Sequence, residues 1–398
     1  MDETRRPEPG EIDALLAARG EQHEVEGSDR CHTSGMATAR AAGGRLILAV
    51  LAVLAVPVVG GCGAPVGHGT PAHTVPATAT VGAAPSAGAV TSLEQPGSLA
   101  AGPGGQLYIA DDARNQILMA LPGGGFRVVA GNGKAGFSGD GGPAVDAELN
   151  DPGGMAVTRS GTLYFADSGN NQIRAISPDG TISTVAGNGR WGNWVASGTP
   201  ALRAGLADPA DVVIGPGGDL YIADSGVSEV LTMTPAGRLL VVAGTPTGEG
   251  IPTAGLPATQ TSADGPDGLA FDRAGNLYVA GLDTKTLFMI APDGQVRLPI
   301  GRDGFYPRGD GGLVTTPDGG VLAMNTQQVD LVTSHGVQVL YDLPARPRIG
   351  IAGFLPDGIA VAPDGTIYLD TSSGNGWADQ SALIEIRANG TAKVTWAG

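Results

Sequence analysis

Three aspartates stand at the same place in three similar stretches of the chain, and they are the first candidates for chemistry. Asp111, Asp167 and Asp224 each follow an apolar run, "LYIAD", "LYFAD" and "LYIAD", and precede a short polar run. A carboxylate there can accept backbone N–H groups across a tight loop, ligate a cation or act as a catalytic acid or base. We interpret these aspartates mainly as loop-stabilising residues.

Histidine is too scarce for the commonest catalytic sites. Of the 5 histidines in the chain, four precede residue 90, and His335 lies in a predicted turn. A three-histidine metal site and a Ser-His-Asp arrangement therefore lack their residues. The glycine-rich "GNGKAG" at 131–136 is followed by neither a helix nor a Lys-Ser/Thr pair, so we do not predict nucleotide binding.

A second set of carboxylates keeps metal-dependent chemistry open as an alternative. Acidic residues recur just before, or early in, the first apolar run of several units: Asp151, Asp208, Asp211, Asp267, Asp310 and Asp357. Carboxylates and carbonyl oxygens can hold Ca²⁺ without histidine. We expect these residues to stabilise the connecting loops instead, and we predict no cofactor, with Ca²⁺ near the axis of the fold as the alternative.

These residues belong to a unit that occurs six times. Tyr108, Tyr164, Tyr221, Tyr278 and Tyr368 mark five of the units, and we assign Val321 to that place in the fifth unit. Each unit has four short apolar runs separated by turns such as "SPDG" at 177–180. Alternating runs bounded by turn residues predict four antiparallel strands, here a to d, and six units of this length are typical of propeller blades.

The repeated motifs resemble those of a known family. The elements "P-x-G-h-A", "G-x-L-Y-h-A-D" and "N-x-I" return together and in order over residues 93–398, and the pattern is similar to the NHL repeat, including its bacterial and teneurin-type variants. The resemblance implies an all-β fold, a six-bladed β-propeller with four antiparallel strands in each blade. The C-terminal "AKVTWAG" fits a strand d, so all six blades are complete.

An antiparallel meander places the b-to-c loops and the d-to-a connectors on one side, which we call the connector face. Three connectors, 131–150, 187–207 and 244–264, are much longer than the 2 to 6 residues or so that are usual. Long loops on a rigid scaffold often bind ligands, and aromatic rings often anchor contacts, although rings also fix loops in place. The predicted ligand-binding residues on this face are Asp111, Phe137, Asp140, Asp167, Asn170, Arg190, Trp191, Trp194, Asp224, Tyr306 and Trp377.

Charge and cysteine content exclude two classes of function. The net charge of -16 argues against nucleic-acid binding, which depends on clustered Lys and Arg. Both cysteines, Cys31 and Cys62, precede the repeats. The repeats therefore contain no disulfide and no zinc-thiolate site.

The N-terminal region has the features of an export signal. Residues 46–59 are unbroken apolar sequence, too short for a typical membrane span, and "VVGGC" after them resembles the bacterial lipobox. This resemblance implies cleavage before Cys62 and lipid attachment to its sulfur; an ordinary signal peptide and a single-pass anchor are the alternatives. We assign 36–62 to the signal and 63–92 to a Pro/Ala/Thr-rich linker. Residues 1–35 are a disordered extension, untranslated if synthesis starts at Met36, or a cytoplasmic tail.

These observations lead to a functional expectation with alternatives. We expect an exported, lipid-anchored monomer at the outer face of the cytoplasmic membrane or in the cell envelope, which binds a protein, peptide or glycan without catalysis. The first alternative is a lactonase- or lyase-like propeller enzyme with a divalent cation near the axis. The second is the detached sensor half of a signalling system, which would need a separately encoded partner because the sequence shows no kinase or other output domain.

Overall fold

The computed structural model describes residues 90–247, 250–283, 285–297, 312–325, 328–333, 336–342, 354–373, 381–387 and 391–397. These residues form six antiparallel sheets, and in each sheet four strands follow one another in chain order. The predicted six-bladed β-propeller is confirmed. We number the blades 1 to 6 along the chain and keep the letters a to d for their strands.

Blades 1 to 3 are described over their full length. Blade 1 contains β1 (Pro96–Ala101), β2 (Leu107–Asp111), β3 (Gln116–Ala120) and β4 (Phe126–Ala130). Blade 2 contains β5 (Pro152–Val157), β6 (Leu163–Asp167), β7 (Gln172–Ile176) and β8 (Ile182–Ala186). A short strand β9 (Thr199–Pro200) precedes blade 3 and is followed by β10 (Pro209–Ile214), β11 (Leu220–Asp224), β12 (Glu229–Met233) and β13 (Arg238–Ala243).

Blades 4 to 6 follow the same order. Blade 4 contains β14 (Pro266–Phe271), β15 (Leu277–Gly281), β16 (Thr286–Ile290) and β17 (Val296–Arg297). Blade 5 contains β18 (Leu313–Thr315), β19 (Val321–Met324), β20 (Gln328–Thr333) and β21 (Gly336–Asp342). Blade 6 contains β22 (Phe354–Val361), β23 (Ile367–Ser373), β24 (Ala382–Ile386) and β25 (Ala392–Ala397), so the C-terminal run supplies its strand d as predicted.

Among the described residues, six short 3-10 helices shape the loops of the connector face. Three of them form the b-to-c loops of blades 1 to 3: Asp112–Arg114, Ser168–Asn170 and Ser225–Val227. The other three lie in the long connectors: Ala144–Asp146, Ala201–Arg203 and Ala258–Gln260. Each b-to-c helix ends at a residue with left-handed backbone, Asn115, Asn171 or Ser228, which turns the chain back into strand c.

The register of blade 5 corrects one assignment made from the sequence. In blade 1, Ala100 pairs with Tyr108, and in blade 5 the equivalent pair is Val314 and Leu322. Leu322, and not Val321, therefore stands at the tyrosine position. The sequence misled by one residue because the fifth unit lacks both the Tyr and the Asp that align the other repeats.

The core consists of apolar layers between neighbouring blades. Ile117 of blade 1 belongs to the same buried cluster as Phe165 and Ile182 of blade 2. Leu383 of blade 6 shares a cluster with Ile109 of blade 1, which closes the ring. Because each blade has a neighbour on both sides, both faces of its strands are buried, and this fixes the register of each strand.

The connectors add strand-like contacts that the sequence did not indicate. Each long connector lies along the outer edge of the blade that it leads into: Ile182 exchanges backbone hydrogen bonds with Gly142 (3.0 Å) and Gly141 (2.8 Å). The same edge contact occurs in blade 3, where β9 pairs with β13, and in blade 4, where Gly255 donates to Val296 (2.8 Å). These contacts cover strand edges that would otherwise be exposed. They attach each connector to the blade that it leads into as well as to the blade that it leaves.

Candidate functional site

The b-to-c loops and the connectors contact each other, as the meander predicts. The side-chain amide of Asn170, in the loop of blade 2, donates to the carbonyl of Gly136 in the first connector (2.8 Å). In blade 3, a Cβ added to Gly226 would lie 3.0 Å from the indole of Trp191 in the second connector. The connector face is therefore a layered surface, with connectors packed over loops.

The first two connectors share a backbone motif that presents a cation. The Asn132 side-chain oxygen accepts the N–H of Lys134 (3.0 Å), and the Asn188 oxygen accepts the N–H of Arg190 (3.0 Å). Lys134 and Arg190 are both exposed and occupy equivalent positions. Two positive charges thus recur on the face of a strongly acidic chain.

Three of the five predicted aromatic residues are among the described residues, and of these two are exposed and one is half-buried. Trp191 is 65% exposed and Phe137 is 49% exposed. Trp194 packs near the backbone of Gly244, where an added Cβ would lie 3.1 Å from its ring. Phe137 and Trp191 therefore meet solvent, whereas Trp194 serves to hold its connector.

The three aspartates that end strand b are fully buried. Asp111 accepts the backbone N–H groups of Glu94 (3.0 Å) and Gln95 (3.2 Å) and pairs with Arg114 (2.9 Å). Asp224 accepts the N–H of Ala207 (2.7 Å). The carboxylates bind the segment that leads into their own blade, which agrees with our interpretation of them as loop-stabilising residues.

In blade 2 the buried aspartate belongs to a larger polar cluster. Asp167 accepts the N–H of Asn150 (2.8 Å) and the amide of Asn170 (2.9 Å), and its carboxylate lies 3.5 Å from the guanidinium of Arg174. Arg174 is fully buried and also pairs with Asp140 at 2.8 Å. Burial raises the pKa of Asp167 to about 6, and the hydrogen bonds and Arg174 limit that rise. Asp140 and Asn170 thus hold the first connector in place.

In blade 3 the equivalent cluster contains two acids. Asp224 and Glu229 are register partners on β11 and β12, and Glu229 accepts the N–H of Val195 (2.9 Å). One oxygen of each carboxyl, Asp224 Oδ2 and Glu229 Oε2, is buried without a hydrogen-bond partner among the described residues. Burial raises the pKa of Glu229 to about 7, and burial together with the charge of Glu229 raises the pKa of Asp224 well above its usual range.

Blade 4 retains the buried carboxylate although its strand b ends in glycine. Asp264, from the connector, places its carboxylate where a Cβ on Gly281 would lie, and it accepts a hydrogen bond from Thr286 (2.5 Å). Asp264 has a left-handed backbone with φ 64°. In blade 4 a connector residue thus supplies the buried carboxylate that the last residue of strand b supplies in blades 1 to 3.

The acidic residues considered for an axial cation are dispersed. Asp211 is buried and accepts the N–H groups of Val212 (2.7 Å) and Leu269 (2.8 Å), which links blade 3 to blade 4; burial raises its pKa to about 7. Asp267 is buried, whereas Asp151 and Asp208 are exposed. Within the described ranges, no three His, Cys, Asp or Glu side chains converge to form a metal site.

Comparison with known proteins decides the type of repeat. Residues 115–304 match the family model of the teneurin NHL domain. The chain is 32% identical over 219 residues to Teneurin-m of Drosophila melanogaster and 30% identical over 226 residues to Teneurin-3 of Mus musculus.

Residues 115–304 are NHL repeats of the teneurin type.

The match concerns the NHL propeller and not whole teneurins. The aligned stretches cover 48% and 50% of this chain but 8% of each of the two teneurins. Among solved structures, a gluconolactonase from Xanthomonas campestris aligns with a TM-score of 0.49 and 15% identity, covering 70% of this chain and 84% of its own. The virginiamycin B lyase of Staphylococcus aureus, in complex with quinupristin, aligns with a TM-score of 0.48 and 13% identity, covering 77% and 86%.

Several predicted residues lie outside the described residues. They are Cys62, Tyr306, Trp377, Asp310 and His335, together with the apolar segment 46–59. Within the part of the chain that the structure describes, no helix has the length and apolar character needed to cross a membrane.

Sequence reasoning missed two residues of the NHL connector face, Arg174 and Glu229. A signal for Arg174 was present, because the equivalent positions of blades 1 and 3 hold the apolar Leu118 and Leu231. An arginine at a core position needs buried partners. Glu229 gave a similar signal, because the equivalent positions of blades 1 and 2 hold Gln116 and Gln172.

Proposed function

We propose that the NHL propeller is a non-catalytic recognition module that binds a partner protein through its connector face. The observation that supports this most directly is the exposed Trp191, held on a connector that is hydrogen-bonded to two blades. Large aromatic side chains dominate the binding energy of many interfaces, and a rigid ring loses little conformational freedom on binding. Phe137 is the second anchor.

The charges around these rings support a particular kind of partner surface. Lys134 and Arg190 are exposed next to the aromatic positions in the first two connectors. Opposite charge on a partner would speed association and fix its orientation. The partner surface that we propose is therefore apolar at its centre and acidic at its rim.

The place of action that we propose is the cell envelope. The apolar segment 46–59 and the "VVGGC" motif support export and lipid attachment at Cys62, and the Pro/Ala/Thr-rich composition of 63–92 supports a linker between Cys62 and the propeller. Substitution Cys62→Ala tests this proposal, because the variant should be recovered from the soluble exported fraction. A variant that stays membrane-bound would contradict lipid anchoring.

The experiment for binding is capture from an envelope extract with the full-length chain as bait. The pair of substitutions Trp191→Ala and Phe137→Ala should reduce capture at least tenfold, as expected for loss of two anchors of about 1 kcal/mol or more each. Leu240→Ala is the matched control, since Leu240 is 39% exposed on the outer strand of blade 3.

The outcomes separate the proposal from its alternatives. Equal capture by the double variant and the wild type would overturn the assignment of the connector face. Capture that survives digestion of the extract with protease would identify a glycan ligand instead of a protein. Photo-crosslinking from position 191 should label the partner directly.

A further inference from the structure

A cavity of about 480 Å³ lies between blades 5 and 6, on the side of the propeller opposite the connector face. Its mouth is formed by the a-to-b turns of the two blades, which include Asp318 and Asp364, and by Arg387 from the c-to-d turn of blade 6. The walls are apolar: Leu322, Leu331, Tyr341, Val361, Ile367 and Ile386. A volume of this size with apolar walls and a few polar groups is typical of small-molecule sites.

The cavity has a local cause in the sequence. At the position of Leu322, the register of the other five blades places a tyrosine. Between blades 3 and 4, Tyr221 meets Phe271 edge to face, with 4.8 Å between the ring centres. The residues equivalent to this pair between blades 5 and 6 are Leu322 and Val361, so the layer lacks both rings.

The other blades also show where the polar end of such a ring lies. The hydroxyl of Tyr278 reaches the carboxylate of Asp272, in the a-to-b turn of blade 4, at 3.4 Å. A Cβ on Gly215, in the a-to-b turn of blade 3, would collide with the ring of Tyr221. The tyrosine rings therefore point from the core toward the a-to-b turns, which is the direction of the cavity mouth.

We propose that this cavity is a binding site for a small aromatic molecule with one polar end, of the phenol class. Its ring occupies the space that a tyrosine ring fills in the other blades, between Leu322 and Val361. Its polar group lies at the mouth, within reach of Asp318, Asp364 and Arg387. The site is independent of the partner surface on the connector face.

Binding of p-cresol, which is the tyrosine side chain as a free molecule, to the full-length chain tests the proposal. Isothermal titration calorimetry should show saturable binding to the wild type. Leu322→Tyr fills the cavity and should raise the dissociation constant at least tenfold while leaving the melting temperature equal or higher. Leu240→Tyr makes the same chemical change on an exposed strand and should bind as the wild type does.

The proposal would be overturned by the absence of saturable p-cresol binding to the wild type, or by unchanged binding to a folded Leu322→Tyr variant. If Leu322→Tyr does not fold, Val361→Phe fills the cavity from the facing blade and gives the same decision. Binding that Leu240→Tyr also removes would place the p-cresol site elsewhere and would equally reject the cavity.

Discussion

The guanidinium carbon of Arg174 lies 5.0 Å from the centre of the Phe137 ring. The arginine is fully buried, whereas the ring above it is half-exposed. A cation held beneath an aromatic face attracts it electrostatically, and more strongly when water is excluded. One of the two proposed anchors is therefore attached to the scaffold by the same arginine that pairs with Asp140 and Asp167.

Replacement of Arg174 by leucine, the residue at this position in blades 1 and 3, should destabilise the protein. Although leucine suits the position in those blades, it would leave Asp167 buried without its cation, and losing one partner of a buried ion pair costs about 3–5 kcal/mol. Urea unfolding measures the change in the free energy of unfolding. Arg159→Leu, at an exposed arginine, is the control, and a loss below about 1 kcal/mol in the Arg174 variant would contradict the assigned role.

Glu229→Gln should stabilise the protein at alkaline pH. The folded pKa of about 7 exceeds the ordinary 4.5, so the folded state holds the proton more tightly than the unfolded state does. The resulting stabilisation is fully present below pH 4.5 and is lost as the pH rises through about 7. Gln116 and Gln172 show that glutamine fits this position. At pH 8 we expect a gain of roughly 1 kcal/mol, or about 2–4 °C in melting temperature.

Other buried acids also contribute to the change of stability with pH that the Glu229→Gln experiment measures. Asp224 is its acidic neighbour, and the charge of Asp208 acts in turn on Asp224. Asp211 and Asp370 are further buried acids whose pKa values burial raises to about 7. A variant with Glu229→Gln therefore keeps part of the decline in stability with rising pH. Gln172→Glu, the reciprocal change in blade 2, should steepen that decline. A melting temperature with the same pH dependence in all three proteins would contradict the prediction.

Gly281→Ala should be costly although alanine is a small residue. The added methyl group would collide with the carboxylate of Asp264, which then loses its place beside Thr286. We expect a loss of about 1–3 kcal/mol, measured by thermal unfolding. Gly281→Asp combined with Asp264→Gly returns the buried carboxylate to the end of strand b, as in blades 1 to 3, and avoids strain because residue 264 has a left-handed backbone that glycine tolerates. This double variant should recover stability. Gly123→Ala is a control for glycine replacement, because no atom lies within 4 Å of its added Cβ and its φ is not positive.

Tyr221→Leu with Phe271→Val should create a second cavity between blades 3 and 4. The two changes copy the residues of blades 5 and 6, and loss of two packed rings should destabilise the protein by about 3 kcal/mol or more. Calorimetry with p-cresol should then show a stoichiometry of two instead of one. Unchanged stoichiometry in a folded variant would show that absence of the rings is not sufficient for binding.

The sequence determined the blades, their strand order and the side on which the loops lie. Strand alternation, turn residues and the repeat unit are local patterns, and each of them is readable within one unit. The aromatic and charged residues of the connectors were found for the same reason. Leu322 stands where the other repeats have tyrosine, and for that reason our sequence alignment of the fifth unit was wrong by one residue. No local pattern marks a missing ring.

Only the tertiary structure decided which groups are buried together. Arg174 meets Asp140 across 34 residues, and Asp211 binds the N–H of Leu269 across 58 residues. The pairing of each connector with the next blade and the cavity beside Leu322 likewise depend on contacts between different repeats. Such contacts are set by the closure of the ring, because closure brings distant units to a packing distance that no local pattern specifies.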